Sequence, residues 1–300
     1  MTGSRLAVVS GAAGAVGGAV AEALQVAGWR VRGVDRRAAS RGVDEMMVGD
    51  CGDEEFAQRA VEGASAIVHL AAQPSPDLVR PARTFMNNVP ASFALCHSAA
   101  EAGISRIVAA SSISILGMAY GPDESTVPYV PVDERTPLQI ADTYALSKGV
   151  DELMLGMLSR RFGVTTVALR MPFIATGDAL DGWGRAVAAD PEPRTRELWA
   201  YMDNRDAARA FVQSLDADLR GAHVLTVASS ASLGSVDVEQ LLARHLPHVE
   251  VRERIAPGRS AYSTALAEQT IGFAAQWCWC GGQLGSAPLS GLHSRIDHAS

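Results

Sequence analysis

Short, β-branched apolar runs alternate with longer Ala-rich stretches through the first half of the chain. The runs predict strands at 6–9, 31–34, 45–48, 66–70, 107–110 and 166–169, and their near-continuous apolar character fits strands covered on both faces. Between them the spacing predicts helices at 15–27, 54–61, 83–102 and 143–162. Strand–helix–strand alternation of this kind specifies an α/β fold with a doubly wound parallel sheet. After Arg170 the rhythm breaks: 173–198 is rich in Gly, Pro, Asp and Trp and reads as a long loop or cap over the sheet's C-terminal edge. A helix at 205–215, a strand at 223–228 and a helix at 236–245 follow. The expected organisation is therefore a nucleotide-binding unit over 1–170, a small C-terminal substrate-binding region over 171–280 and a loose tail over 281–300.

A chain of 300 residues can bury a full core, and 48% apolar with 20% charged residues is ordinary for a globular protein. A net charge of -7 opposes general nucleic-acid binding, which needs a basic face. No apolar run is long enough to span a membrane, and the N-terminus enters a strand directly, without the pattern of a signal peptide. A small-molecule partner and a cytoplasmic location are expected. Cys278 and Cys280 offer two close sulfurs where a structural zinc site needs four ligands, so no metal is expected and the thiols are read as reduced. The cations are unusual: there are 25 Arg and one Lys, Lys148. A compact ammonium at that position does what a planar guanidinium cannot.

Gly11, Gly14 and Gly17 stand where the first predicted strand turns into the first helix, which Ala15 and Val16 open. Gly11 permits a tight turn, Gly14 lets backbone approach a diphosphate, and Gly17 lets helix pack closely on strand, with free amides facing the phosphates. Asp35 ends the second strand, where a carboxylate accepts ribose hydroxyls and repels a 2'-phosphate. NAD is favoured over NADP, although Arg36 and Arg37 behind it could reach such a phosphate. These features make the expected fold Rossmann-type.

Tyr144 and Lys148 lie at i, i+4 within a predicted helix and share a face. A free phenol ionises near ~10, so half-ionisation at neutral pH needs a drop of about three units, of which a nearby cation supplies ~1 to 3. A phenolate so formed can take a hydroxyl proton. Beyond the glycine turn, Asp35 and Tyr144-x-x-x-Lys148, the chain carries Gly49-Asp50, His69-Leu-Ala-Ala72, Asn88-Val89, Ser111-Ser112-Ile-Ser-Ile-Leu-Gly117 and Arg170-Met-Pro172. With these it resembles, over about residues 5–280, the extended short-chain dehydrogenase/reductase family of NAD-dependent epimerases and dehydratases. The resemblance implies catalysis by Ser112, Tyr144 and Lys148, with Lys148 also holding the nicotinamide ribose. It implies cofactor contacts from Arg36, Asp50, Cys51, Leu70, Ala71, Ala72, Asn88, Ala110, Pro172 and Phe173, and substrate contacts from Gln73, Ser75, Ser112, Ile113, Ser114, Ile174 and Arg185. It also implies a homodimer built on the helices at 83–102 and 143–162.

Departures from the family pattern bear on the substrate. Leu116 occupies a position where many members have tyrosine, so a second phenol is expected to be missing. The interval from Pro172 to Tyr201 is short and 173–198 contains no Asn to grip a nucleotide-sugar diphosphate, while Arg185, Arg194 and Arg196 could meet a carboxylate or stay solvated. The short cap resembles that of uronate dehydrogenases. His69 is expected as a satisfied core residue and Asp206 as structural. The expected activity is NAD-dependent oxidation or reduction at a hydroxyl-bearing or hemiacetal carbon of a small carbohydrate or sugar acid. A nucleotide-sugar 4-epimerase or dehydratase with tightly bound NAD is the alternative, and a non-catalytic nucleotide sensor a lesser one.

Overall fold

The computed structural model describes residues 5–39, 41–280 and 283–286. Seven strands form one parallel sheet: β1 (Leu6–Ser10), β2 (Arg30–Asp35), β3 (Glu45–Val48), β4 (Ala66–His69), β5 (Arg106–Ser112), β6 (Thr165–Met171) and β7 (Ala222–Thr226). Their order is β7-β6-β5-β4-β1-β2-β3. This is the doubly wound α/β arrangement that the alternation predicts. The winding reverses between β1 and β4, and ligands of such sheets bind in the crevice outside the strand ends at that point.

Helices cover both faces. On one side α1 (Ala15–Val26) and α6 (Asn204–Asp216) bury Val20, Leu24, Phe211 and Leu215 against the sheet. On the other, α2 (Glu54–Val61), α3 (Pro81–Glu101) and α4 (Thr143–Phe162) bury Phe56, Leu95, Leu155 and Leu158. The α4 boundaries follow from local chemistry. Asp142 caps its N-terminus by accepting from the Ala145 amide at 2.8 Å, and Gly163 ends it in the left-handed conformation at φ 72° behind Arg160 and Arg161.

The segment at 173–198 differs from the expected loop. It contains α5 (Gly177–Ala189) and a 3-10 turn at Glu192–Glu197. Leu180, Gly184 and Val187 form its buried face, and a Cβ on Gly184 would lie 2.3 Å from the Trp279 ring. A glycine that reads locally as a helix breaker is thus required by a side chain almost a hundred residues away. Leu198, Trp199 and Tyr201 then enter a third core with Leu180 and Leu233. The expected helix at 236–245 begins later, as α7 (Val238–His245), because Asp237 caps it through the Gln240 amide.

Two further expectations are corrected near the C-terminus. Trp277–Cys280 pairs antiparallel with Gln283–Ser286, so part of the expected tail is a strand; residues 281, 282 and 287–300 lie outside the described residues. Cys278 is disulfide-bonded, whereas Cys51 and Cys96 are buried free thiols, so the reading of reduced cysteines fails at Cys278. Asp206 is structural as expected, accepting from the Gln276 and Trp277 amides and from Arg209. Among the described residues no helix is long and apolar enough to cross a membrane, and no cluster of three or more His, Cys, Asp or Glu is placed to hold a metal ion.

Candidate active site

The glycine turn joins β1 to α1 at the reversal of the sheet. Gly11 sits at φ 73°, and a Cβ on Gly17 would come to 2.0 Å from the Gly11 carbonyl oxygen. Gly14, the N-cap of α1, has no capping side chain, which leaves the first helical amides for a ligand. Two cavities, of about 530 and 490 Å³, open on either side of the turn and share Gly11, Gly14, Leu70, Ala72 and Pro74. A crevice divided by a bare backbone turn fits a dinucleotide whose diphosphate crosses the glycines.

The smaller cavity gathers the residues expected at the adenosine end. Asp35, Arg36, Asp50, Cys51, Ala71 and Gln73 line it. Asp35 accepts from the Ala13 and Arg37 amides at 3.1 and 3.0 Å, which orients its carboxylate. Arg36 pairs with Asp50 at 2.8 Å, an engagement that competes with any grip on a 2'-phosphate. Burial pushes the Cys51 thiol up to about 12, so it is a neutral lining group. Asn88, an expected cofactor contact, borders neither cavity, and its amide is engaged by the Gln73 backbone N–H and C=O and by Ser147 on α4. It ties the loop after β4 to the helix that carries Tyr144.

The larger cavity brings Ser112, Tyr144 and Lys148 together with Ala15, Val16, Ala110, Ile113 and Ser114, and with Pro172, Phe173 and Ile174 from the cap's entrance. Ser112 ends β5, and its hydroxyl lies 2.9 Å from that of Ser114. Lys148 is buried with its Nζ 6.0 Å from the centre of the Tyr144 ring. Burial acts against its charge, but the adjacent Asp151 carboxylate, with Tyr144, more than offsets this and leaves the ammonium above its ordinary value. His69 is buried beneath the site and pushed down to about 4 by burial. Its Nδ1 meets Ser10 at 2.9 Å, while Nε2 has no hydrogen-bond partner among the described residues, so it is a core histidine only half satisfied.

Several side chains expected at the substrate end stand elsewhere. Arg185 pairs with Asp181 on its own helix and does not border the cavity. Arg196 is spent on Asp123 and the Met118 carbonyl. Arg194 takes the cavity position instead, stacked 3.9 Å over the Trp183 ring and 5.0 Å over Phe173, and paired with Glu197 at 3.2 Å. Burial pushes the Glu197 carboxyl up, and its Oε2 has no partner among the described residues. A second phenol is also present: Leu116 is buried, but Tyr120 lines the cavity edge-on to Tyr144 with ring centres 6.4 Å apart. Ser75 borders neither cavity, and its hydroxyl accepts from the Asp77 amide. Tyr120 and Glu197 carry no motif, and only their place in the cavity wall identifies them.

Residues 7–177 match the family model described as NAD dependent epimerase/dehydratase family. A uronate dehydrogenase from Pseudomonas syringae pv. tomato is 28% identical over 204 residues, which is 66% of this chain and 65% of that one. A UDP-glucose 4-epimerase from Azospirillum brasilense is 29% identical over 242 residues, 73% of this chain and 67% of that one. The chain thus matches about two thirds of the length of these relatives. Among solved structures, a short-chain dehydrogenase/reductase superfamily protein from Agrobacterium tumefaciens with bound NAD superposes with a TM-score of 0.70 at 24% identity, covering 91% of this chain and 93% of that one, and so shares the fold. With the family model matched over more than half of its length, the chain belongs to the NAD dependent epimerase/dehydratase family and is an NAD-dependent enzyme.

Proposed function

We propose that the protein is a dehydrogenase acting on a hydroxyl-bearing or hemiacetal carbon of a small sugar acid. The observation that carries this reading is Arg194, a cation held over an aromatic pair in the wall of the same cavity as Tyr144. Guanidinium matches a carboxylate bidentately. Glu197, its partner, is a partly buried acid pushed upward by desolvation, so protonation of that carboxyl would free the arginine for an anionic substrate. Aromatic faces beside it suit the apolar face of a sugar ring. The uronate dehydrogenase relative agrees with this class, and the short wall at 173–198 leaves no side-chain amide for a nucleotide diphosphate.

Gly11, Gly14 and Gly17 would take the diphosphate of NAD, Asp35 the adenosine ribose and Lys148 the nicotinamide ribose, and NAD when bound supplies the two-electron redox step. Ser112 Oγ would hydrogen-bond the substrate oxygen that reacts. Tyr144 would remove the proton from that oxygen during oxidation and return it during reduction, and Lys148 would stabilise the phenolate. Arg194 would hold the far end of the substrate and fix which carbon faces the cofactor.

Replacing Tyr144 by Phe is expected to reduce turnover of a hexuronate by about 10²- to 10⁴-fold while NAD affinity is retained. Undiminished turnover would overturn the assignment. Net formation of NADH from hexuronates separates this reading from a 4-epimerase, which returns its cofactor oxidised after each cycle and interconverts UDP-hexoses. A homodimer accompanies the proposal, supported by exposed Met86 and Phe93 on α3 and Leu146 and Leu153 on α4, each pair seven residues apart. Light scattering should then give about twice the 31.5 kDa chain mass.

A further inference from the structure

Behind Tyr144 and Lys148 lies a buried acid that the reading above does not use. Lys148 Nζ stands 3.1 Å from Asp151 Oδ2, and both side chains are 2% exposed. The other oxygen of that carboxylate accepts a short hydrogen bond from Ser92 Oγ, on α3. The next acid along α4, Glu152, is committed elsewhere, to Arg170 and to the Ser111 hydroxyl. The other titratable groups facing the pair are Tyr144 on α4, His69 on β4 and Cys96 on α3. Burial keeps His69 neutral at ordinary pH and raises the Cys96 thiol, so neither supplies a charge. Among the described residues, Asp151 is the one anion paired with the chain's single lysine.

Such a pair contributes little to stability, because two buried charges cost about as much in lost hydration as their attraction returns. Its value lies in what each charge does to the other. A carboxylate fixed beside an ammonium holds it in place and offsets part of its field at any third group nearby. We propose that Asp151 is a positioning residue of the candidate catalytic pair: its carboxylate aims the Lys148 ammonium and offsets part of the positive field that reaches Tyr144. This rests on Tyr144 being the acid/base group.

The sign is fixed by electrostatics. Removing the negative charge lowers the proton affinity of both neighbours, so Tyr144 ionises at lower pH and Lys148 deprotonates at lower pH. The test is a pH titration of tyrosinate ultraviolet absorbance in the NAD-bound protein, with the Tyr144→Phe titration subtracted to isolate residue 144. Asp151→Asn should bring the midpoint down by about one pH unit or more. Ser92→Ala disturbs the same packing but keeps the charge, and should leave the midpoint within a few tenths of wild type. Equal midpoints for Asp151→Asn and wild type, or equal displacements for Asp151→Asn and Ser92→Ala, would overturn the proposal. Should Asp151→Asn fail to fold, Lys148→Met/Asp151→Leu compared with Lys148→Met decides, since the paired replacement leaves no buried charge. The double variant should ionise at lower pH, and identical midpoints would again overturn it. Hexuronate turnover that survives Tyr144→Phe would instead sink the base assignment, whatever Asp151 does.

Discussion

The smaller cavity, the proposed adenosine end of the crevice, is made largely of backbone and of residues at the ends of neighbouring strands: the glycine turn after β1, Asp35 at the end of β2 and the Leu70–Gln73 stretch after β4. The larger cavity, the proposed substrate end, is made of side chains brought from far apart, with Tyr120 following β5, Tyr144 on α4, and Phe173, Arg194 and Glu197 from the cap. A diphosphate offers charged oxygens that bare amides can satisfy, so its site tolerates almost no side-chain variation but needs few side chains. A sugar offers a particular set of hydroxyls and charges, and its site is specified by whichever side chains the cap delivers. The two ends should therefore fail differently when mutated, one through the turn's shape and the other through individual contacts.

The sharpest way to break that contrast is Gly17→Ala. The added methyl meets the Gly11 carbonyl oxygen at 2.0 Å, so helix and turn must separate. Overpacking of this kind costs about 1–3 kcal/mol. Calorimetry should show NAD affinity lost by at least about a hundredfold, because displaced amides no longer converge on the phosphates. Normal NAD binding by this variant would mean that the turn is not the cradle.

Arg194→Met tests the opposite end with a smaller effect. The substitution preserves much of the stem's contact with Trp183 and Phe173 while removing the charge. KM for a hexuronate should rise by about 10- to 100-fold, in line with about 1.5–3 kcal/mol for a hydrogen bond to a charged group. NAD affinity and the KM for a neutral hexose should not move. Arg185→Met is the control, because that guanidinium is held by Asp181 outside the cavity, and it should change either constant by less than about twofold. If Arg185 rather than Arg194 governs KM, the assignment of the substrate end is wrong.

The same division explains what could be read from the chain. Strand–turn–helix spacing around Gly11, Gly14 and Gly17 is local, as is the i, i+4 pairing of Tyr144 with Lys148, and both survive translation into the fold because neighbouring residues alone determine them. Arg194 could not be chosen over Arg185 from sequence, since the choice depends on α5, a helix hidden by Gly184, and Gly184 is explained only by Trp279. Tyr120 was invisible for a related reason: it supplies a phenol four residues beyond Leu116, from the far side of a 3-10 turn at Ile113–Leu116. Asp151 escaped because an acid three residues after a lysine on a helix is ordinarily a solvated neighbour. Only the packing of α3 over α4 buries it.

The finest test concerns cofactor choice. Asp35 is held by two backbone amides at the edge of the adenosine cavity, and Arg36 is drawn toward Asp50. Asp35→Asn removes a negative charge while keeping an acceptor of nearly the same shape, so repulsion of a 2'-phosphate should fall more than affinity for a ribose hydroxyl. The ratio of kcat/KM for NAD over NADP should drop by about tenfold, equivalent to about 1.4 kcal/mol. With Arg36 free to leave Asp50, Asp50→Asn on the same background should lower the ratio further, because the guanidinium is then available to a phosphate. An unchanged ratio in both variants would mean that discrimination comes from the shape of the cavity and not from the carboxylate at position 35, and the adenosine end would then resemble the substrate end more than its backbone construction implies.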